Sequence, residues 1–286
     1  MFSKEITVSK KFLSKYKTIS EAIKQATPGT TIYVEPGVYN ESLIIDKEIT
    51  LIGNGSRDEI VIFSANESPL IMQTARATVC GMTIQQGGQP VEDQTRAAVL
   101  LSLGSLCLDD CIIKSSVGDG IRIYHRETRP IIQRCLIDRV YGTGIYISDE
   151  ADPVIEDCRV VHSGKAGIWI TAKGYGTIEN CEIYGSTFTN IGIADESNPV
   201  VRNCQIYRSE QNGIWFKISG YGTIEGCDIH HNAYANVELG DGSDPIIKGC
   251  HIYSGSQSGV WFKKNSRGTV VDCEIFEHQY ANVVIS

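Results

Sequence analysis

Apolar residues in this chain come in pairs split by one outward position, and the pairs return at a fixed interval. Cys135, Cys158, Cys181, Cys204, Cys227, Cys250 and Cys273 are spaced by 23 residues, with Cys111 another 24 before them. Three residues before each cysteine stands Ile155, Ile178, Val201 or an equivalent; two after it stands Val160, Ile183, Ile206 or an equivalent. Ten and twelve after it come Ile145/Ile147, Ile168/Ile170, Ile191/Ile193, Ile214/Phe216 and Val237/Leu239. A two-residue period is that of a strand with one buried face. A 23-residue unit with three short strands has no room for a helix and cannot bury its apolar face alone. Stacked in register at about 4.8 Å per coil, such units share one continuous core. Parallel crossovers are right-handed. The pattern therefore predicts an all-β fold, a right-handed single-stranded parallel β-helix, regular over 111–286. Nine residues after each cysteine stands Gly144, Gly167, Asn190, Gly213 or Asn236. Gly and Asn tolerate positive φ best, which predicts a turn there.

The earlier part is less regular. ITLIG (49–53), EIVIFS (59–64) and ATVCGMTI (77–84) read as strands of irregular coils within 49–110. Residues 1–48 read as an N-terminal cap and first strands. TISEAIKQA (18–26) has helical apolar spacing and stops at Pro28-Gly29, the short helix that would close the solenoid's open end. The whole of 1–286 reads as one domain. Ser286 ends a strand with no capping signal, so the native protein is expected to continue, with end-to-end self-association through that coil as the alternative.

Charge and composition narrow the partners. With 34 acidic and 26 basic side chains the net charge is −8, against a phosphate-reading surface, so no nucleic acid is expected. No run approaches the ~18 apolar residues of a membrane span, and the N-terminus has no leader-like apolar stretch. No membrane partner and a cytoplasmic location are the resulting expectations. The ten cysteines read as core rather than as a disulfide framework. In-register side chains point the same way, which keeps Cβ atoms beyond the ~3.8 Å that a bridge prefers. A straight column of thiols cannot enclose an ion tetrahedrally, so neither metal nor cofactor is expected.

From 153 onward the repeat is really 46 residues. Coils opening with Pro153, Pro199 and Pro245 alternate with coils bearing Gly176, Gly222 and Gly268 at the same offset. This resembles the β-helix repeats of carbohydrate-binding proteins and sugar hydrolases. It is most similar to the paired coils in the substrate-recognition region of an F-box ubiquitin-ligase adaptor and to bacterial counterparts, some joined to stage V sporulation K-type ATPases. NosD-like proteins resemble it more distantly. TIYVEPGVYNESLIIDKEITLIG (31–53) is similar to the opening of many β-helix proteins, including relatives of pectin methylesterase. The chain departs from the adaptor in lacking an F-box segment and in placing Cys where those coils carry Asn. The resemblance implies the fold, not ubiquitin chemistry.

An inverting hydrolase needs two carboxylates about 6.5–9.5 Å apart. At the position of Asp119 the later coils carry Thr143, Ala166, Thr189, Asn212, Ala235, Ser258 and Ala281, so no acid pair stands before the strand and no catalytic residue is expected. Asp149, Asp195 and Asp241 recur at 46 residues after that strand and are the acidic alternative, although acids at loop starts commonly bond local backbone. What the strand's outward face does carry is aromatic. Trp169, Trp215 and Trp261 lie 46 residues apart, predicting indoles on one face at about 9.6 Å intervals. Phe188, Tyr234 and Tyr280 occupy the intervening coils, Tyr146 extends the stripe, and Lys217, Lys263 and Lys264 border it. Gly192, Glu238 and Val284 alternate with the tryptophans. Either the rings seal the turns against each other or they form a docking platform. The expected function is a non-catalytic binding module for a protein or peptide, centred on Trp215 between Phe188 and Tyr234. The alternatives are a carbohydrate-binding module, for which outward hydrogen-bonding groups look sparse, or a polysaccharide hydrolase or lyase.

Overall fold

The computed structural model describes residues 4–89 and 96–286. Strands follow one another around three parallel sheets and return one coil higher. Among the described residues sheet A has twelve strands, from Glu5–Val8 to Thr269–Val271. Among the same residues sheet B has eleven, from Gly37–Asn40 to Glu274–Phe276, and sheet C has eleven, from Leu43–Ile45 to Val283–Ile285. One coil reads Thr177–Glu179 in sheet A, Glu182–Tyr184 in sheet B and Ile191–Ile193 in sheet C. Stacking is in register: Ile178 pairs with Val201, Ile183 with Ile206 and Ile191 with Ile214. All six are fully buried, and truncating one such side chain to alanine costs about 2–5 kcal/mol.

The expected helix forms at Ile19–Gln25 and buries Ile19, Ala22 and Ile23 against the first strands of sheets A and C. Its free amides are satisfied. Thr18 accepts from the Glu21 amide, and the Glu41 carboxylate accepts from those of Ile19 and Ser20 at 2.9 and 2.8 Å. The irregular early strands fall where the alternation places them, except that 77–84 is two strands, Arg76–Cys80 in sheet A and Thr83–Gln86 in sheet B. No helix among the described residues is long and apolar enough to cross a membrane.

The chain bends at the Gly and Asn positions that predict turns, but without the positive φ expected there. Left-handed residues mark the three corners of each coil: Asp157, Asn180 and Asn203 between sheets A and B, His162 and Arg208 after sheet B, and Asp149, Ala172 and Asp195 after sheet C. Gly144, Gly167 and Gly213 are not among them. Glycine is needed there for close approach: a Cβ on Gly167 would sit 2.6 Å from the Asn190 carbonyl oxygen and 2.9 Å from Ile183 Cγ2. Asparagine at the equivalent position is wholly buried and works as a cross-tie. Asn190 Nδ2 donates to the Tyr207 carbonyl, and Asn236 Nδ2 to that of Tyr253, both at 2.9 Å.

The ten cysteines are free thiols, and Cys111 through Cys250 form a buried column at the corner between sheets A and B. They also act as donors. Cys181 Sγ donates to the carbonyls of Glu179 (3.1 Å) and Ile155 (3.6 Å), and Cys204 repeats this with Arg202 and Ile178. A residue here must be small, apolar and able to supply a weak hydrogen bond to a corner carbonyl, which thiols do. Burial raises the Cys111 thiol above its usual range, which keeps it protonated.

Candidate functional site

Between each inward pair of sheet C stands one outward side chain, and strand register lines these up. Arg122, Tyr146, Trp169, Gly192, Trp215, Glu238, Trp261 and Val284 form one row. The tryptophans point outward and are half-buried. Their spacing departs from the 9.6 Å expected of upright side chains. The Trp169 indole lies down over Gly192, where a Cβ would come within 2.1 Å of its ring. It thereby reaches Trp215, with ring centroids 6.2 Å apart at 63°. Phe188 completes the cluster, 5.4 Å from Trp215 and 6.3 Å from Trp169. Lys217 Nζ stands 5.7 Å from the Trp215 ring and 5.9 Å from that of Trp169, where an ammonium is attracted to the ring quadrupoles. The first two tryptophans thus seal a seam and still present a surface.

The other stripe residues separate. Trp261 touches no aromatic ring among the described residues; Lys263 Nζ lies 4.7 Å from its centroid. That lysine is also 2.7 Å from Glu238 Oε1. Glu238 is 6% exposed and accepts from Asn212 Nδ2 at 3.2 Å, so this carboxylate is held inside the row. Tyr234 and Tyr280 are open to solvent and join no tryptophan, so Trp215 is not flanked by Phe188 and Tyr234 as expected, but by Phe188 and Trp169. Tyr146 sits under the Arg122 guanidinium at 4.3 Å, and burial raises its phenol pKa. Arg122 pairs with Asp119 at 2.9 Å. Asp119 also accepts from the Thr143 amide at 2.8 Å, and burial raises its carboxyl pKa.

Two of the three recurring acids serve the turns. Asp149 and Asp195 are left-handed corner residues; Asp149 accepts from the Ser148 hydroxyl and Asp195 from that of Thr171, one coil earlier. The turns that follow these strands carry polar groups. Ala172, Lys173, Asp195, Glu196, Ile218 and Ser219 line a shallow hollow of about 440 Å³, with Lys173 Nζ 3.4 Å from Glu196. The hollow begins at Ala172, three residues along the chain from Trp169 and past the end of its strand at Ile170. Hydrogen-bonding groups that are sparse along the strand itself are present in the turns after it. Among the described residues no three His, Cys, Asp or Glu side chains converge as metal ligands.

A second aromatic row lies on the outer face of sheet B. Tyr184, Tyr207, His230, Tyr253 and Phe276 stack with centroids 4.8, 5.0, 4.8 and 5.3 Å apart and near-parallel planes. An aromatic residue three positions after each cysteine from Cys181 onward was the signal for it. The sequence reading missed that row, and also missed Glu238 as a group belonging to the site.

This fold class is also what comparison with known proteins finds. The family model for the right-handed β-helix region matches residues 46–175 and 154–286, and the chain belongs to that family. No curated protein sequence matches it. Among solved structures it is similar to a GH87 α-1,3-glucanase catalytic domain in complex with nigerose, with TM-score 0.64 and 10% identity over 98% of this chain and 66% of that one. It is similar to the Dettilon tailspike protein (0.62, 13%, 94% and 64%). It is similar too to the A-module of the mannuronan C-5 epimerase AlgE4 of Azotobacter vinelandii (0.58, 13%, 93% and 91%). At such identities the likeness concerns the fold.

Proposed function

We propose that the outer face of sheet C binds an extended saccharide chain without turning it over. One observation carries the reading. The hollow bounded by Lys173, Asp195 and Glu196 lies in the turns of the same coils whose sheet C strands carry the Trp169–Trp215 pair, with Lys217 against both rings. Apolar ring faces beside fixed charged hydrogen-bonding groups match the two surfaces of a pyranose: its C–H face stacks and its hydroxyls bond. The row continues along the axis to Trp261, with Lys263 over its ring, which suits a polymer. A glucanase holding nigerose and a mannuronan epimerase share the fold, which supports a sugar over the protein or peptide partner read from the aromatic stripe alone. Binding without chemistry is favoured because Asp119 is engaged by Arg122 and the Thr143 amide, while Asp149 and Asp195 serve turns.

The test is an oligosaccharide array, with calorimetry on any chain retained. Trp215→Ala is expected to weaken binding at least ten-fold, about 1.4 kcal/mol, and Asp195→Asn and Lys217→Ala several-fold. Retention of no glycan, alongside Trp215-dependent capture on a peptide array, would return the site to a protein partner.

A further inference from the structure

Far from the aromatic row, the segment before the helix makes a feature that the solenoid does not need. After the first strand of sheet A the chain turns back at Lys11–Ser14, where the Ser14 amide donates to the Lys11 carbonyl at 3.1 Å. The two arms are tied, with the Ser9 amide bonded to the Tyr16 carbonyl at 3.0 Å and the Ser14 hydroxyl to the same carbonyl at 2.8 Å. The tip of such a turn ordinarily carries Gly, Pro, Asn, Asp or Ser. Here it carries Phe12 and Leu13, 88% and 92% exposed. Around them stand Lys10, Lys11, Lys15 and Lys17, all exposed, and none forms an ion pair with a carboxylate among the described residues. Lys17 Nζ lies 5.4 Å from the Phe12 ring, and Lys10 and Lys15 fold over Tyr39 and Tyr16. Residues 4–17 hold five lysines and one glutamate in a chain whose net charge is −8.

We propose that this turn is a peripheral membrane anchor. Phe12 and Leu13 enter the boundary between headgroups and acyl chains of an anionic bilayer, and the lysines lie against its phosphates. The expectation of no membrane partner rests on the absence of a spanning run, and a surface contact needs none. A bilayer fits this tip better than an acidic protein does. Two protruding side chains are far short of the roughly 800 Å² per partner of a stable protein interface, whereas a bilayer admits a protruding tip without a matching pocket. Opposite charge supplies the long-range attraction, and the acidic remainder of the chain is repelled, so the capped end of the solenoid faces the membrane. The sheet C row, several coils along the axis, is held away from it. A few lysines and two apolar residues give reversible, salt-sensitive attachment.

The test is sedimentation of the whole chain with vesicles of phosphatidylcholine alone or mixed equally with phosphatidylglycerol, at low salt. The protein is expected to pellet with the mixed vesicles and to stay in solution with the neutral ones. Phe12→Ser with Leu13→Ser should lower partitioning at least about ten-fold without moving the melting temperature, since neither side chain is packed. Lys11→Glu with Lys15→Glu should lower it further, by roughly five-fold or more for each lysine lost. Wild type remaining in solution with mixed vesicles would overturn the proposal. So would a Phe12/Leu13 variant that pellets like wild type, which would mean charge adsorption alone.

Discussion

The same coils carry two aromatic rows on adjacent sheets, and the two behave differently. On sheet B an aromatic ring stands on every coil from Glu182–Tyr184 onward, so neighbours are one coil apart. At that spacing the rings lie flat on one another, 12° between Tyr184 and Tyr207 and 11° between Tyr207 and His230. Both faces of each inner ring are consumed, and the hydroxyls of Tyr184 and Tyr207 are tied locally. Arg159 bonds Glu182 (2.6 Å) and the Tyr184 hydroxyl (3.0 Å), and Tyr207 donates to Glu182. On sheet C the tryptophans stand on every second coil, with Gly192 and Glu238 between them. Rings with a gap beside them can tilt, share an edge and keep part of a face open. Whether an aromatic row is closed or available is therefore set by the sequence period, 23 or 46 residues, rather than by aromatic content.

The comparison breaks most sharply at Trp169. Its indole fills the space over Gly192 and supports Trp215 and Phe188. Trp169→Ala is expected to cost about 2–3 kcal/mol, below the full value for a wholly buried ring because the residue is half-exposed. Trp261→Ala, with no ring neighbour, should cost under about 1 kcal/mol. Urea unfolding of both variants decides this. Equal losses would mean that the row is one structural seam and not two kinds of site. On the closed row Tyr207→Leu removes two stacked neighbours and the bond to Glu182, with an expected cost of about 1–2 kcal/mol. It should leave ligand binding on sheet C unchanged within two-fold, measured by calorimetry against wild type.

Most of the fold is legible because side-chain period and coil length are locked together: once Ile178, Val201 and Ile224 repeat at 23 residues, register has no freedom. The backbone conformation at these bends is misread because Gly at Gly167 answers a steric demand from the next coil, which residue type alone does not separate from a φ demand. At the site, the sequence gives which side chains face outward but not how they lean. The contact between Trp169 and Trp215 depends on what Gly192 lacks. The polar hollow is hidden for a different reason. Its groups, Lys173, Asp195 and Glu196, lie in left-handed turns whose direction relative to the strand is a tertiary fact.

The smallest expected effect probes the closed row through its one titratable ring of intermediate pKa. His230 is stacked between Tyr207 and Tyr253, with Nδ1 2.8 Å from Nδ1 of His231. Burial lowers its pKa first, the charge of His231 adds to this and that of Arg208 follows, while Asp228 opposes them. The folded protein therefore prefers the neutral imidazole. An unfolded histidine titrates near 6.5, so this contribution to stability is complete above that pH and is lost as pH falls through the depressed folded value. His278 shifts in the same direction through burial and adds to the slope, whereas carboxylates titrate mostly below this range. The melting temperature should thus decline modestly from pH 7 to pH 5, the modesty following from the partial exposure of both rings. His230→Phe keeps a flat ring in the stack, as Phe276 does at its end, and removes the proton. It should flatten the decline in part, leaving the share due to His278. An unchanged slope in that variant would mean that the stack tolerates an imidazolium, and that the closed row is held by its neighbours' hydrogen bonds more than by contact between ring faces.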